Sequence, residues 1–229
     1  RIKLMSVADA LHARRSVRAF RPDPVDPQIL QDALAAAQRA PSGGNLQPWR
    51  AIVLTGEPWE RLKAVVGERL ALGAAGQQME YPIYPEILPD PWKSRRYGVG
   101  EALYGALGIP RENKMGRMLQ FAENFRGFGA PVMLFLYTPR TMGPPQWSDM
   151  GMWLQSLMLL LTEAGLGTCA QECWAVYGET IRNELGIADD QILFCGLAIG
   201  HTDTENPVNN WPVPRAPLDE VIEWRGFEA

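Results

Sequence analysis

Apolar and polar positions along this chain follow two rhythms, a repeat near 3.6 residues and short unbroken apolar runs, and the switches between them mark helices and strands. Ser6 stands three residues ahead of Asp9 in the form of a capping box and predicts a first helix over residues 7–14. Asp26 and Pro27 are a helix cap and a first helical residue. Beyond them Ile29, Leu30, Ala33, Leu34 and Ala37 recur at helical spacing until Pro41 halts them, and the loop APSGGN follows. Residues 49–54 read as a short strand, and 57–70 return to helical spacing through Trp59, Leu62, Val66 and Leu70.

Over residues 73–98 the pattern dissolves. Pro82, Pro85, Pro89 and Pro91 are interleaved there with Tyr81, Tyr84, Trp92 and Tyr97. This reads as a long irregular excursion, which either covers a site like a lid or packs along the surface. Two helices are expected at 100–107 and 111–125. PVMLFLY and ILFCGLAIG then have the continuous apolar character of strands covered on both faces. Between them SDMGMWLQSLMLLLTEAGLG predicts a helix capped by Ser148 or Asp149 and ended by Gly165 and Gly167. Its stripe is Met150, Trp153, Leu154, Leu157, Met158 and Leu161, but Met152, Leu159 and Leu160 lie off it. A helix apolar on nearly all sides needs cover on nearly all sides, and a subunit interface is favoured over burial within one chain. Residues 207–217, rich in proline and asparagine, predict an extended arm before a short segment at 218–224. With no repeat or shift in composition, residues 1–229 read as one α+β domain.

Composition adds constraints. The 229 residues are 46% hydrophobic, enough for a substantial core, and the formal net charge of −4 argues against nucleic acid or an anionic membrane as a general partner. No run approaches the ~18–20 apolar residues of a membrane span, and RIKLMSVADALH lacks the apolar core of a secretory signal, so a cytoplasmic protein is expected. Cys169, Cys173 and Cys195 are odd in number and read as reduced, buried thiols. With only His12 and His201 beside them, no metal is expected.

Against that acidic background ARRSVRAF places Arg14, Arg15 and Arg18 around Ser16. Alone, such a run reads as a solvated surface. The fingerprints of the dinucleotide fold, P-loop, zinc protease and serine hydrolase are missing. Two histidines leave little for acid–base catalysis, so either the protein is no enzyme or a bound cofactor performs the chemistry.

Five segments change this picture: RRSVRAF, APSGGNLQPW, GLGTCAQE, GLAIGH and PRAPLDEVIEW. In that order they resemble the FMN-dependent nitroreductase family over nearly the whole chain. The resemblance implies a mixed, mainly antiparallel sheet flanked by helices, an extended C-terminal arm, and a homodimer with FMN at its interface. It implies that Arg14 and Arg215 hold the flavin phosphate, with Ser16 as a side-chain partner and Arg15 mostly a backbone one. Arg18 takes the position beside flavin N1 and C2=O. Pro41, Ser42, Gly43 and Asn45, with Gln47 a weaker candidate, would be offered to the ring by the partner subunit. Ala170, Gln171 and Glu172 would bring a backbone N–H to flavin N5, and Gly200 joins the cofactor-binding set. Where the family usually has proline and glycine this chain has Ala170 and Cys173.

The implied activity is NAD(P)H-dependent reduction of nitroaromatics or quinones, both substrates stacking in turn on one flavin face, with no catalytic side chain. Tyr84, Trp92 and Tyr97 are the expected substrate contacts. Lys93, Arg95 and Arg96 read first as solvated charge and second as a preference for an anionic aromatic. Two alternatives stay open: an oxygen-using FMN dehydrogenase or oxidase, and a non-catalytic FMN carrier or sensor.

Overall fold

The two unbroken apolar runs become the two central strands of one sheet. In the computed structural model, which describes residues 5–73 and 78–227, four antiparallel strands, β1 (Arg50–Thr55), β2 (Val132–Pro139), β3 (Gly167–Gln171) and β4 (Gln191–Gly200), lie in the order β1-β2-β4-β3. An α+β fold results. Alternation along β2 divides its side chains between two cores. Met133 and Phe135 face Trp59 and Trp174 on one side, while Val132, Leu134 and Leu136 face Met150, Trp153 and Leu157 on the other. Both faces are covered, which is why the run is apolar throughout. A Cβ at Gly196 of β4 would come 2.5 Å from the Trp174 ring, so close packing requires glycine there.

The helices form where local chemistry directs them. α1 (Val7–Ala13) carries the expected capping box, with Ser6 Oγ accepting from Asp9 N–H and the Asp9 carboxylate accepting from Ser6 N–H. α2 (Pro27–Ala37) is capped by Asp26. α3 (Gly56–Ala71) covers one sheet face with Trp59, Leu62 and Val66. α6 (Pro144–Glu163) and α2 cover the other. α7 (Gly178–Leu185) and α8 (Leu218–Val221) complete the set, together with α4 (Trp92–Ala106) and α5 (Lys114–Ala122). No helix of the described residues is long and apolar enough to cross a membrane.

Four expectations need correction. α4 begins at Trp92, so the irregular excursion ends at residue 91 rather than 98; its residues 74–77 lie outside the described ones. No side chain of α4 is buried, so no apolar stripe announces it. α5 is shorter than predicted and passes into a 3-10 turn at Glu123–Gly129, where Gly127 and Phe128 adopt φ of 58° and 55°. α6 starts at Pro144 rather than at Ser148 or Asp149. Gly143 N–H donates to Gln146 Oε1 at 3.0 Å, and Asp149, buried inside the helix, instead accepts from Gly43 N–H at 3.2 Å. Finally, the C-terminal arm opens with a 3-10 turn at Pro207–Asn209 and becomes irregular only after it.

Candidate cofactor and substrate site

The segment that follows α1 is laid beside the sheet by its own apolar residues. Val17 and Phe20 are buried, Val17 N–H donates to Thr168 O at 2.9 Å, and Phe20 forms a bridge with Thr202. On either side of Val17, Arg14, Arg15, Ser16 and Arg18 line a cavity of about 310 Å³. Arg215, two hundred residues on, lines the same cavity.

Asn209 makes that meeting possible. Buried in the turn of the arm, it accepts from Arg18 N–H through Oδ1 at 2.8 Å and donates through Nδ2 to Ala19 O and Asp203 O. Its own carbonyl accepts from Arg15 Nη1 at 2.5 Å. Every polar group of the side chain is satisfied, so the arm is fastened to the N-terminal segment and Arg215 is carried to its place. Asn209 is a functional residue that sequence reasoning missed. The one available signal was an asparagine in a proline-rich stretch.

The donor set is one-sided. Four arginines line the cavity with no aspartate or glutamate among its lining residues, and none of the four has a carboxylate partner among the described residues. Among the described residues Arg215 donates only to the carbonyls of Val213 and Pro214. Partial burial, and then the charge of Arg215, push the pKa of Arg14 down. Such a cluster is held against its own repulsion and suits a multiply charged oxyanion, which guanidinium forks grip with paired, charge-assisted bonds.

A second cavity of about 890 Å³ adjoins the first and shares Arg18 and Val99 with it. Its walls include Tyr84, Tyr97, Tyr104 and Phe121, with Lys93 and Arg96. Trp92 lines neither cavity and projects into solvent, so of the three expected substrate contacts the structure brings together two. Arg96 lies 3.8 Å over the Tyr84 ring, and Arg117 is engaged by Glu101 at 2.6 and 3.1 Å. The excursion that carries Tyr84 is anchored at its base. The Glu80 carboxylate, almost wholly buried, takes ion pairs from Arg182 at 2.7 Å and Arg140 at 2.6 Å, while Tyr81 OH donates to Phe194 O.

The loop at 41–47 lies apart from the arginines. Pro41, Ser42, Gly43 and Asn45 line neither cavity, and Gln47 faces a separate one of about 380 Å³ beside Trp49 and Trp153. Gly44, Asn45 and Gln47 hold left-handed backbone, with φ of 56°, 57° and 48°. Ala170, Gln171 and Glu172 also line neither cavity. The Gln171 side chain is turned to structural use, donating to Asn124 O at 2.8 Å and accepting from Trp174 Nε1 at 3.2 Å, while Glu172 is exposed. Gly200 is buried at the end of β4, where a Cβ would come 2.7 Å from Pro131 Cδ, so packing explains its glycine.

Comparison with known proteins decides the family. The family model for the nitroreductase family matches residues 11–201. The chain belongs to the nitroreductase family. It is 35% identical over 214 residues to nitrobenzene nitroreductase of Ectopseudomonas oleovorans, covering 93% of this chain and 94% of that one. A 4-nitrobenzoate reductase of Pseudomonas putida is 34% identical over 94% of each chain. Among solved structures, the FMN and NADPH-dependent nitroreductase NfnB of Sphigopyxis sp. strain HMH superposes with a TM-score of 0.95 at 64% identity, covering 97% of this chain and all of that one.

The cysteines of this nitroreductase-family chain are unbridged, and Cys169 and Cys195 are buried. Burial pushes the Cys169 thiol up to about 11 against the opposite pull of Arg18 and Arg14, and pushes Cys173 and Cys195 up as well. A raised pKa means less thiolate at any pH below it. At pH 8 the folded protein is therefore expected to react with a disulfide reagent roughly 100-fold more slowly than the same thiols after denaturation. Rapid labelling of Cys169 in the folded protein would contradict this.

Proposed function

We propose that this protein is an FMN-dependent NAD(P)H oxidoreductase that reduces nitroaromatic compounds, acting as a homodimer in the cytoplasm. The observation that carries the reading is the acid-free cleft in which Arg14, Arg15, Arg18 and Arg215 converge. An FMN phosphate bears close to two negative charges, and an oxygen-rich dianion supplies the acceptors this donor-only set lacks. Bound there, FMN supplies hydride acceptor and donor chemistry that no side chain of this chain can perform. The 64%-identical structure is named FMN and NADPH-dependent, and several relatives are named for nitroaromatic substrates.

The chain's own residues then have distinct tasks. Arg14 and Arg215 hold the phosphate. Arg18, at the junction of the two cavities, presents a fixed cation that favours whichever redox form of a neighbouring ring is more negative. Replacing it by glutamine is expected to lower the two-electron midpoint potential of the bound flavin by roughly 30–60 mV, where 30 mV corresponds to about 1.4 kcal/mol. An unchanged potential would remove that role. Tyr84, Tyr97 and Tyr104 offer flat apolar surface to an aromatic substrate.

The homodimer is supported by what one chain leaves undone. The 41–47 loop shares neither cavity with the arginines, Met152 of α6 is exposed, and Leu159 and Leu160 are only half-buried. Beyond the arm and α8, Ile222, Trp224 and Phe227 are exposed. A second copy would cover these surfaces and complete the site from the other side. The test is spectroscopic. The purified protein is expected to be yellow, to bleach on anaerobic addition of NADPH or NADH, and to regain its colour with a nitroaromatic. A yellow protein that no reduced nicotinamide bleaches would instead be a carrier or an oxygen-using dehydrogenase.

A further inference from the structure

The first two turns of α4 carry three cations, Lys93, Arg95 and Arg96, and no acidic residue stands in the first turn; the acid just ahead of it, Asp90, spends its carboxylate on Ser94 N–H and Oγ while lying in the field of Lys93. The positive end of a helix dipole disfavours cations, so their presence there calls for another reason. The backbone offers no anion site of its own, because the N–H groups of Lys93, Ser94 and Arg95 donate to Pro89 O, Asp90 Oδ1 and Pro91 O. The side chains carry the argument. Arg95 is paired with Glu220 of α8. Lys93 and Arg96 have no carboxylate partner among the described residues, and both line the larger cavity. Of the two acidic residues in that lining, Glu101 is engaged by Arg117, which leaves Glu86 against Arg18, Lys93 and Arg96.

Arg96 is also held in position. Its guanidinium lies 3.8 Å over the Tyr84 ring, and Tyr84 projects from the excursion that Glu80 and Tyr81 fasten to the core. Stacking of this kind leaves the edge of the guanidinium free to donate. Both cations are exposed and so stand toward the mouth of the cavity, where the far end of a long substrate would lie.

We infer that Lys93 and Arg96 bind the 2′-phosphate of NADPH and make this protein select NADPH over NADH. The inference rests on the function proposed above. A phosphate outside the reacting ring matches two unpaired cations better than any neutral nitroaromatic does, and an arginine reading the 2′-phosphate is a general means of telling the two nicotinamides apart. An acidic nitroaromatic shares that chemistry through a carboxylate, and the experiment separates the two.

The test uses the FMN-loaded protein and the Lys93→Gln/Arg96→Gln double variant. Calorimetry with adenosine 2′,5′-bisphosphate and with adenosine 5′-monophosphate reads the phosphate directly, without turnover. Wild type is expected to bind the bisphosphate ~10–100-fold more tightly, and the double variant to lose most of that ratio. Anaerobic bleaching should follow suit, with the NADPH-to-NADH ratio falling through the concentration dependence rather than the limiting rate. Arg96→Lys, which keeps the charge, should retain the larger part of the ratio. A wild type that does not distinguish the two nucleotides, or a ratio that survives in the double variant, would overturn the inference. So would a variant that changed only the preference for 4-nitrobenzoate over nitrobenzene. A colourless protein that takes up no FMN would instead overturn the proposed function, and the visible spectrum tells these failures apart.

Discussion

Replacing both Arg14 and Arg215 by alanine is expected to weaken FMN binding by roughly 10²–10⁴-fold, on the basis of ~1.5–3 kcal/mol for each charge-assisted contact. Gel filtration of the variant should then yield protein stripped of flavin. The two positions are coupled, because the charge of Arg215 already depresses the pKa of Arg14 in the absence of an anion. Either single replacement relieves that repulsion in the free protein, so the two single effects should not sum to the double one. For the same reason the flavin-free double variant should be at least as stable as flavin-free wild type. Retention of stoichiometric FMN by the double variant would show that these arginines do not hold the phosphate.

The second large effect concerns stability. The Glu80 side chain is 2% exposed and lies between Arg182, 9% exposed, and Arg140. Glu80→Ala strands the Arg182 guanidinium with only the solvent-exposed Asp189 for a partner. Breaking one side of a buried ion pair costs ~3–5 kcal/mol, and a chain of this size should lose roughly 2–4 °C of Tm per kcal/mol, or about 6–20 °C. The measurement is thermal unfolding at saturating FMN, so that loss of ligand is not mistaken for loss of stability. Glu80→Gln keeps the shape and an acceptor and should lie between. Gly178 packs directly against the Glu80 side chain, so the site leaves little room to rearrange. A shift of only 1–2 °C in the alanine variant would mean that water replaces the carboxylate at little cost.

Which features the sequence disclosed follows from how local their physics is. The Ser6–Asp9 box and the Asp26–Pro27 start are settled within one helical turn, and both appear in the fold as read. The apolar runs of β2 and β4 needed only the rule that strands covered on both faces lose their alternation. Ser148 and Asp149 misled because they are strong capping residues, yet Asp149 serves a contact to Gly43 more than a hundred residues away. Only the second half of α4 was read as helix, at 100–107, because a helix with no buried side chain has no stripe to show where it starts. The arginines of RRSVRAF were visible as charge, but that no acid faces them could be seen only once the chain was folded. Asn209 and the Glu80 anchor belong to the same class, since each joins segments remote in sequence.

Reconstitution of flavin-free protein with FMN and with riboflavin, side by side, probes the convergence of the arginines most directly. The two ligands share the ring and differ in the phosphate. FMN is expected to bind ~10²–10⁴-fold more tightly than riboflavin, with the difference shrinking as salt is raised. Equal affinities for the two flavins would contradict the assignment of the cleft as a phosphate site.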